Sequence, residues 1–362
     1  MTVLALRSAH ARNAVSQLHG MVSRRLWGGI GVGVGNTPPR IEMDSLTNGV
    51  HTATWTGPEM SRLLDRYLGP SWRRYPHRAS TWARILVADA HALWGARNAQ
   101  RERLLRYIES SISGDGAPGR YLLEQDPLVI GFARRFATYK RAGLQLRQPD
   151  RLASLLTNPS RPVLLIFAGK AHPHDEPGKL LIQHIVDASR EAMFGGHLVF
   201  LPNYGIELAR LLVQGSDLWL NTPRRPMEAS GTSGMKATLN GALNVSELDG
   251  WWDEAYVPGL GWALGDGISD EVSDEARDEA EAAQLMDLLE SDIVPLFLTR
   301  TAEGIPSEWL KRIQRSMAAF AATFSAHRMV NQYAERIYRP LARPGVVALP
   351  CADVSRTERP AA

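Results

Sequence analysis

A run of small residues ahead of a lysine is the segment of the sequence whose residue types and spacing best suit ligand binding and catalysis. Between Ser230 and Gly234 the small residues let a ligand approach the backbone, and successive N–H groups at a helix start attract an anion. Thr232 and Ser233 add hydroxyl donors, and Lys236 follows on what we predict to be the first turn of a helix. A lysine beside a phosphate-binding loop can hold an aldehyde cofactor as a Schiff base. The alternative is a turn that caps a helix, with Lys236 on a solvated face.

A second segment concentrates positive charge. Arg134, Arg135, Lys140 and Arg141 place four cations within eight residues, directly after an apolar run that predicts a strand. Guanidinium and ammonium groups at such a junction favour the binding of one or more phosphates. The alternative is a solvated basic face without a ligand.

A third segment follows another apolar run and contains Lys170, His172, His174 and Asp175. The two histidines and the aspartate are metal ligands by type. The His-Glu-x-x-His spacing of a metal site is absent, so the sequence predicts no metal here.

Alternating strand and helix patterns must position these three segments. Short apolar runs alternate with amphipathic stretches, which predicts an α/β fold with a parallel sheet and helices on both faces. We expect a Rossmann-like domain over about 126–270, with ligands at the carboxyl ends of its strands, so that the three segments gather at one crevice. The predicted strands are 128–132, 163–167, 197–201 and 217–220, and the predicted helices are 134–146, 178–192 and 206–213.

Helical patterns flank this region. The sequence predicts helix over 1–27, 57–115, 272–292 and 306–340, and a loose tail from 343 onward. Large apolar residues at helical spacing predict the core contacts of these helices; they are Trp72, Trp82, Trp94, Trp309, Ile313, Met317, Phe320 and Phe324.

A glycine run from Gly29 to Gly35 has the composition of a nucleotide-binding loop. A dinucleotide site needs a strand before such a run and a helix after it, and here Asn36, Thr37 and two prolines follow. We interpret it as a flexible connector.

Composition limits the remaining possibilities. The 362 residues are 44% hydrophobic and 22% charged, with a formal net charge of +3, which is typical of a globular protein with one large or two smaller domains. The small basic excess does not predict nucleic-acid binding. No apolar stretch approaches the ~20 residues of a membrane span, and no signal-peptide pattern is present. The single cysteine, Cys351, cannot form an internal disulfide, so we expect a cytoplasmic location.

The motifs together resemble the α-glucan (glycogen, starch and maltodextrin) phosphorylases. Glu-Ala-Ser-Gly-Thr-Ser-Gly-Met-Lys, from Glu228 to Lys236, is similar to the cofactor signature of that family, and Arg-Arg-Phe-Ala-Thr-Tyr-Lys-Arg and Gly-Lys-Ala-His-Pro precede it in the family's order. The lead-in Asn-Thr-Pro-Arg-Arg-Pro-Met and the pair Trp251-Trp252 resemble the short bacterial branch. Segments 13–20 and 46–52 are also similar to the middle of family sequences.

The resemblance implies a two-domain glycosyltransferase of the GT-B type. The implied reaction transfers the terminal α-1,4-linked glucosyl unit of a glucan to orthophosphate and gives glucose 1-phosphate. It implies pyridoxal 5′-phosphate on Lys236 and catalytic roles for Lys236, Arg135 and Lys140. The implied contacts are Thr232, Gly231, Ser233 and Arg134 with the cofactor phosphate, Tyr204 with the cofactor, Arg135 and Lys140 with orthophosphate, and Glu228, Ser230 and Gly231 with the glucosyl hydroxyls.

The resemblance also implies a domain arrangement. Residues 1–115 would be the last helices of the N-terminal GT-B domain, 116–270 the Rossmann-like domain, 271–342 helices that pack back, and 343–362 a loose tail. We therefore expect an N-terminally truncated family member that lacks the glycine loop and a histidine of the other domain. Partners implied are the glucan, orthophosphate and either a second copy or a separately encoded N-terminal half.

Two other functions remain open at this point. A retaining glycosyltransferase with a nucleotide-sugar donor would share the fold, but it would not need a lysine that forms a Schiff base. An inactive fragment that binds cofactor or glucan would keep the motifs without turnover.

Overall fold

The computed structural model describes residues 1–30, 42–111, 122–268 and 272–342. The strands are β1 Asn13–Ala14, β2 Asp44–Ser45, β3 Leu128–Phe136, β4 Val163–Ala171, β5 Leu198–Leu201, β6 Leu218–Asn221, β7 Leu243–Glu247 and β8 Trp262–Leu264. The helices are α1 Thr2–Ser8, α2 Gln17–Trp27, α3 Thr52–Trp55, α4 Pro58–Leu68, α5 Ser71–Arg74, α6 Ala79–Trp82, α7 Ala90–Ser111, α8 Leu122–Gln125, α9 Pro149–Leu156, α10 Glu176–Ala188, α11 Ile206–Gly215, α12 Thr232–Thr238, α13 Trp251–Ala255, α14 Asp274–Leu288, α15 Val294–Leu298, α16 Ser307–Phe320, α17 Ala326–Tyr333 and α18 Arg339–Ala342.

A six-stranded parallel sheet organises the described chain. Its strand order is β5-β4-β3-β6-β7-β8, and each neighbouring pair is parallel, which confirms the predicted α/β architecture. The four predicted strands are present, while β7 and β8 were not predicted. Strand β7 is interrupted by polar residues, and β8 has only three residues, so neither has the apolar run of four or more residues that identifies a buried strand.

The central strand β3 is longer than its apolar run. It pairs with β4 from Leu128 through Phe136, so the predicted helix over 134–146 is wrong. Single turns of 3-10 helix, Thr138–Lys140 and Leu144–Arg147, follow it. Between them Arg141 has φ 48°, a left-handed conformation that an α-helix does not contain. The backbone therefore turns sharply at the carboxyl end of the sheet.

The remaining helix predictions are confirmed in part. Helices α10, α11, α14 and α16 lie within or close to the predicted segments, and region 57–111 forms α4 to α7 with a turn of 3-10 helix. The prediction of one helix over 1–27 is wrong, because strand β1 separates α1 from α2. Residues 31–41, which include most of the glycine run, and the tail 343–362 with Cys351 lie outside the described residues.

The core lies on both faces of the sheet. On one face, Val129 and Leu164 pack against Leu104 of α7 and Leu212 of α11. On the other face, a larger continuous cluster joins the sheet to the N-terminal helices and to α14–α16. The predicted core residues belong to this cluster and are buried; they are Trp72, Trp82, Trp94, Trp309, Ile313, Met317, Phe320 and Phe324.

A fully buried arginine connects α7 to the sheet. Arg97 donates to the carbonyls of Gln214, Ser216 and Asn240 at 2.6–2.7 Å and to the carboxylate of Asp217 at 3.1 Å. The side chain is 0% exposed. These contacts hold α7 against the end of α11, the start of β6 and the end of α12.

No helix in the parts of the chain that the structure describes is long and apolar enough to cross a bilayer.

Candidate functional site

One cation on β3 and one on the turn that follows this strand converge on one carboxylate. Arg134 Nη2 donates to Glu228 Oε2 at 2.7 Å, and Lys140 Nζ pairs with the same oxygen. Glu228 lies on the loop that follows β6, the strand next to β3. The adjacent carboxyl ends thus bring together two of the three predicted segments, as the parallel topology requires.

Burial makes these cations strong candidates for an anion site. Arg134 is 8% exposed, and its Nε and Nη1 atoms have no hydrogen-bond partner among the described residues. Burial lowers the pKa of Arg134, and burial with the Arg134 charge lowers the pKa of Lys140 to about 8. A buried donor without a partner carries a desolvation cost, which an incoming anion would remove.

Glu228 is held in place through its backbone. Its N–H donates to Asp249 Oδ2 at 2.9 Å, and the other oxygen of Asp249 accepts from Gly250 N at 2.8 Å. Burial raises the pKa of Asp249 to about 6, although both hydrogen bonds oppose that rise. Asp249 therefore links the turn after β7 to the loop that carries Glu228.

The small-residue loop leads into α12 without a side-chain cap. Gly231 has φ 77° at the N-cap position, a conformation that favours glycine. A Cβ on Gly234 would lie 2.5 Å from Asn244 Oδ1, so this position admits no larger residue without movement. Ser233 Oγ accepts from Trp219 Nε1 at 3.1 Å and lies 3.4 Å from Asn221 Oδ1. The Nδ2 atom of Asn221 is buried and has no partner within the described ranges.

Lys236 lies on the second turn of α12, so its predicted position on the first turn is wrong. It is half-buried, and its Nζ is 4.0 Å from the ring centroid of Trp55. Burial lowers the pKa of Lys236, which favours the neutral amine that acts as a nucleophile. Asn240 Nδ2 donates to the carbonyls of both Lys236 and Trp55, at 2.9 and 2.8 Å, and so fixes the lysine against the ring.

Other predicted site residues lie around this centre. Ser230 is buried, and its hydroxyl accepts from Asn48 Nδ2 at 3.1 Å. Tyr204 is half-buried, with its pKa raised by burial and partly offset by the charge of Arg134. Thr232 is half-buried at the start of α12. Arg135 is exposed and, by strand alternation, leaves β3 on the side opposite to Arg134.

The third predicted segment does not join the Arg134–Glu228 contacts. Lys170, His172 and His174 are exposed at the end of β4, and Asp175 caps α10 by accepting from Gly178 N at 3.0 Å. Within the described ranges, no group of three or more His, Cys, Asp or Glu residues could hold a metal ion.

Sequence reasoning missed two residues of this site. Trp55 precedes Lys236 by 181 positions, and only the fold brings them together. Asp249 belongs to the Leu-Asp-Gly triplet after β7, but that strand was not predicted. A prediction of β7 would have placed Asp249 at the same carboxyl edge as Glu228.

Comparison with known proteins gives consistent matches. The family model described as carbohydrate phosphorylase matches residues 1–253. The chain is 40% identical to the maltodextrin phosphorylase of Thermococcus litoralis over 344 residues, which cover 93% of this chain and 40% of that protein. It is also 40% identical to the glycogen phosphorylase of Mycobacterium tuberculosis over 355 residues (95% and 40%), and 36% identical to that of Aquifex aeolicus over 347 residues (93% and 49%). The chain thus spans between two fifths and one half of the length of these relatives.

Proposed function

The chain belongs to the carbohydrate phosphorylase family, and from this premise we propose that it forms the cofactor- and phosphate-binding part of an α-1,4-glucan phosphorylase. The proposed reaction is the phosphorolysis of terminal α-1,4-glucosyl units of glycogen or maltodextrin to glucose 1-phosphate. The parallel sheet with helices on both faces agrees with the GT-B fold of this family.

The observation that carries this proposal is the pair of buried cations beside the loop that leads to Lys236. Among the residues that the structure describes, the Nε and Nη1 atoms of Arg134 are buried donors without partners, and Lys140 shares Glu228 with Arg134. Together with Asn221 Nδ2, which also has no partner among the described residues, these groups fit a ligand that carries phosphate.

The residues present also fit pyridoxal 5′-phosphate. Lys236 would bind its aldehyde, and Arg134 with Gly231, Thr232 and Ser233 would hold its phosphate. Tyr204, half-buried near Arg134, would contact the cofactor. When bound, this cofactor supplies a phosphate whose second pKa lies near ~6, suited to proton exchange with a substrate phosphate near neutral pH.

The substrate groups would occupy the open side of the same cluster. Lys140 and the exposed Arg135 would bind orthophosphate, and their charges would offset the repulsion between two neighbouring phosphates. Glu228 and Ser230, with the backbone at Gly231, would accept and donate hydrogen bonds to the glucosyl hydroxyls. Lys140 would donate a proton more readily than an ordinary lysine, because its pKa is lowered to about 8.

Turnover by this chain is a separate proposal, because the chain spans only part of its relatives' length. We propose that it works with a separately encoded polypeptide or as a homo-oligomer, in the cytoplasm. A phosphorolysis assay with maltodextrin and orthophosphate, with and without such a polypeptide, tests this point separately from cofactor binding.

Cofactor binding is tested by absorbance and fluorescence of the purified chain with pyridoxal 5′-phosphate, before and after borohydride reduction. Lys236→Ala is compared with Lys170→Ala, which removes an exposed lysine at the end of β4. We expect a reducible adduct on the parent chain and on Lys170→Ala, with the label on the peptide that contains residue 236.

An equal adduct on Lys236→Ala would contradict the proposed cofactor site. An adduct that forms at Lys236 without phosphorolysis under any assay condition would support a binding module and exclude turnover. A spectrum without an adduct on any variant, together with glucosyl transfer from a nucleotide sugar, would favour the donor-dependent glycosyltransferase.

A further inference from the structure

Arg141 lies directly after Lys140 and outside the proposed ligand contacts. It is buried, and its guanidinium makes four hydrogen bonds and one further ion pair. Nε donates to Thr222 O at 2.9 Å, and Nη2 donates to Pro223 O at 3.1 Å and Glu247 Oε1 at 2.8 Å. Nη1 donates to Asp278 Oδ1 at 2.8 Å and pairs with Glu281.

These acceptors come from three elements that meet behind the proposed site. Thr222 and Pro223 begin the loop that leads to Glu228, Glu247 ends β7, and α14 contributes the other two carboxylates. The connection is reinforced in the backbone: Arg224 N donates to Tyr139 O at 2.7 Å. In addition, the Thr222 hydroxyl lies 3.2 Å from the carbonyl oxygens of both Lys140 and Arg141.

We propose that Arg141 is a positioning residue that sets the distance between the turn carrying Lys140 and the loop carrying Glu228. The inference rests on the proposed function, because it assigns significance to the Lys140–Glu228 contact. Arg141 itself touches neither of these side chains and acts through the two backbone segments that deliver them.

Backbone conformation supports this assignment. Arg141 is one of three non-glycine residues with positive φ within the described ranges, and its φ of 48° ends the turn Thr138–Lys140. A non-glycine residue in this region carries a conformational cost and persists when its surroundings hold it there. Here the holding contacts are those of its own side chain.

The carboxyl groups around Arg141 also support its role as a positioning residue. Glu247 and Glu281 are buried together, and burial with the neighbouring Glu281 charge raises the pKa of Glu247 well above its ordinary value. The guanidinium lies between these carboxyl groups and Asp278, which also pairs with Arg224 at 2.8 Å. A planar group with five donors can satisfy carboxylates and carbonyls at once, whereas a lysine ammonium has three donors.

The test measures the titration of Lys140 in the full chain. Lysines are labelled competitively with an amine-reactive anhydride across a pH series, and each site is quantified by peptide mass spectrometry. The exposed residues Lys170, Lys179 and Lys311 serve as internal references. This readout needs neither cofactor nor turnover, so it stays informative even if the proposed function fails.

Arg141→Lys keeps the charge and removes at least two of the five polar contacts, because an ammonium has only three donors. We expect the pH midpoint of Lys140 to rise from about 8 towards the ordinary lysine value, by roughly one pH unit. Burial is the largest cause of the lowered pKa, so the hydration that Lys140 gains when the turn moves outweighs the weakened attraction of Glu228. In the chain loaded with pyridoxal 5′-phosphate, we expect orthophosphate affinity to fall about tenfold, with the adduct at Lys236 retained.

Arg147→Lys is the matched control. Arg147 contacts Glu275 and Asp278 of the same helix α14 but none of the backbone around Thr222. The proposal is overturned if Arg141→Lys folds and leaves the Lys140 midpoint unchanged, or if Arg147→Lys moves it equally.

Thr222→Val provides a second, milder variant in case Arg141→Lys does not fold. It removes the hydroxyl contacts to the carbonyls of Lys140 and Arg141 and keeps the backbone acceptor of Arg141. We expect a smaller shift of the Lys140 midpoint in the same direction. No shift in a folded Thr222→Val chain would also contradict the proposal.

Discussion

Replacement of Glu228 by glutamine should strengthen the binding of orthophosphate, although Glu228 is itself a proposed substrate contact. In the structure, Glu228 already binds both cations of the anion site: it accepts a hydrogen bond from Arg134 at 2.7 Å and pairs with Lys140. An anion that binds Lys140 therefore competes with a carboxylate that is already in place. Glu228→Gln keeps the shape of this side chain and removes its charge.

The size of the effect follows from that competition. A hydrogen bond to a charged group contributes about 1.5–3 kcal/mol, so removing the competitor should tighten orthophosphate binding by about tenfold to a hundredfold. The pH matters, because Glu228 raises the pKa of Lys140 and its loss lowers that pKa below about 8. The gain should be largest near pH ~6, where Lys140 is protonated in both chains, and smaller near pH ~8.

Isothermal titration calorimetry with orthophosphate at constant ionic strength measures this difference. Asp253→Asn is the control, since it makes the same change of net charge at a carboxylate that pairs with Arg225 at 3.0 Å and not with Arg134 or Lys140. We expect the control to bind like the parent chain. Unchanged or weaker binding by Glu228→Gln near pH ~6 would refute the reasoning.

Three further predictions concern stability and the cofactor loop. Arg97→Met leaves buried acceptors unpaired, so it should lower the free energy of unfolding by about 3–5 kcal/mol and the thermal unfolding midpoint in calorimetry by about 4–7 °C. The control Arg106→Met, on the exposed face of α7, should leave this midpoint unchanged. The pKa of Asp249 is about 6 in the folded chain and about 3.9 in the unfolded chain, so its ionisation opposes folding. As the pH rises from about 4 to about 6, the free energy of unfolding measured with urea should therefore fall by about 2–3 kcal/mol more in the parent chain than in Asp249→Asn. The same pH dependence in both chains would contradict this prediction. Gly234→Ala places a Cβ 2.5 Å from Asn244 Oδ1 and should weaken pyridoxal 5′-phosphate binding at least about tenfold by fluorescence titration; parent-like affinity would show that the loop has room to move.

Much of the site could be predicted because its residues follow strands with apolar runs. Leu128–Phe132 and Leu218–Leu220 are such runs, and the parallel topology then brings Arg134, Lys140 and Glu228 to one edge. The predictions failed where tertiary contacts outweigh the local pattern.

The helix expected over 134–146 is the clearest such failure. Pairing with β4 extends β3 through Phe136, and the side-chain contacts of Arg141 hold a left-handed turn that no local periodicity indicates. Trp55 and Lys236 are far apart in sequence, so no spacing rule could have paired them.

The larger apolar cluster has a consequence for how the molecule opens. It runs without interruption from Met60 of α4, through Phe132 of the sheet, to Phe320 of α16. Amides in these three regions should therefore exchange with deuterium through one shared opening, with similar free energies, rather than as separate foldons. A protease that cuts an exposed loop between them should leave nicked halves that still migrate together until the chain unfolds as a whole.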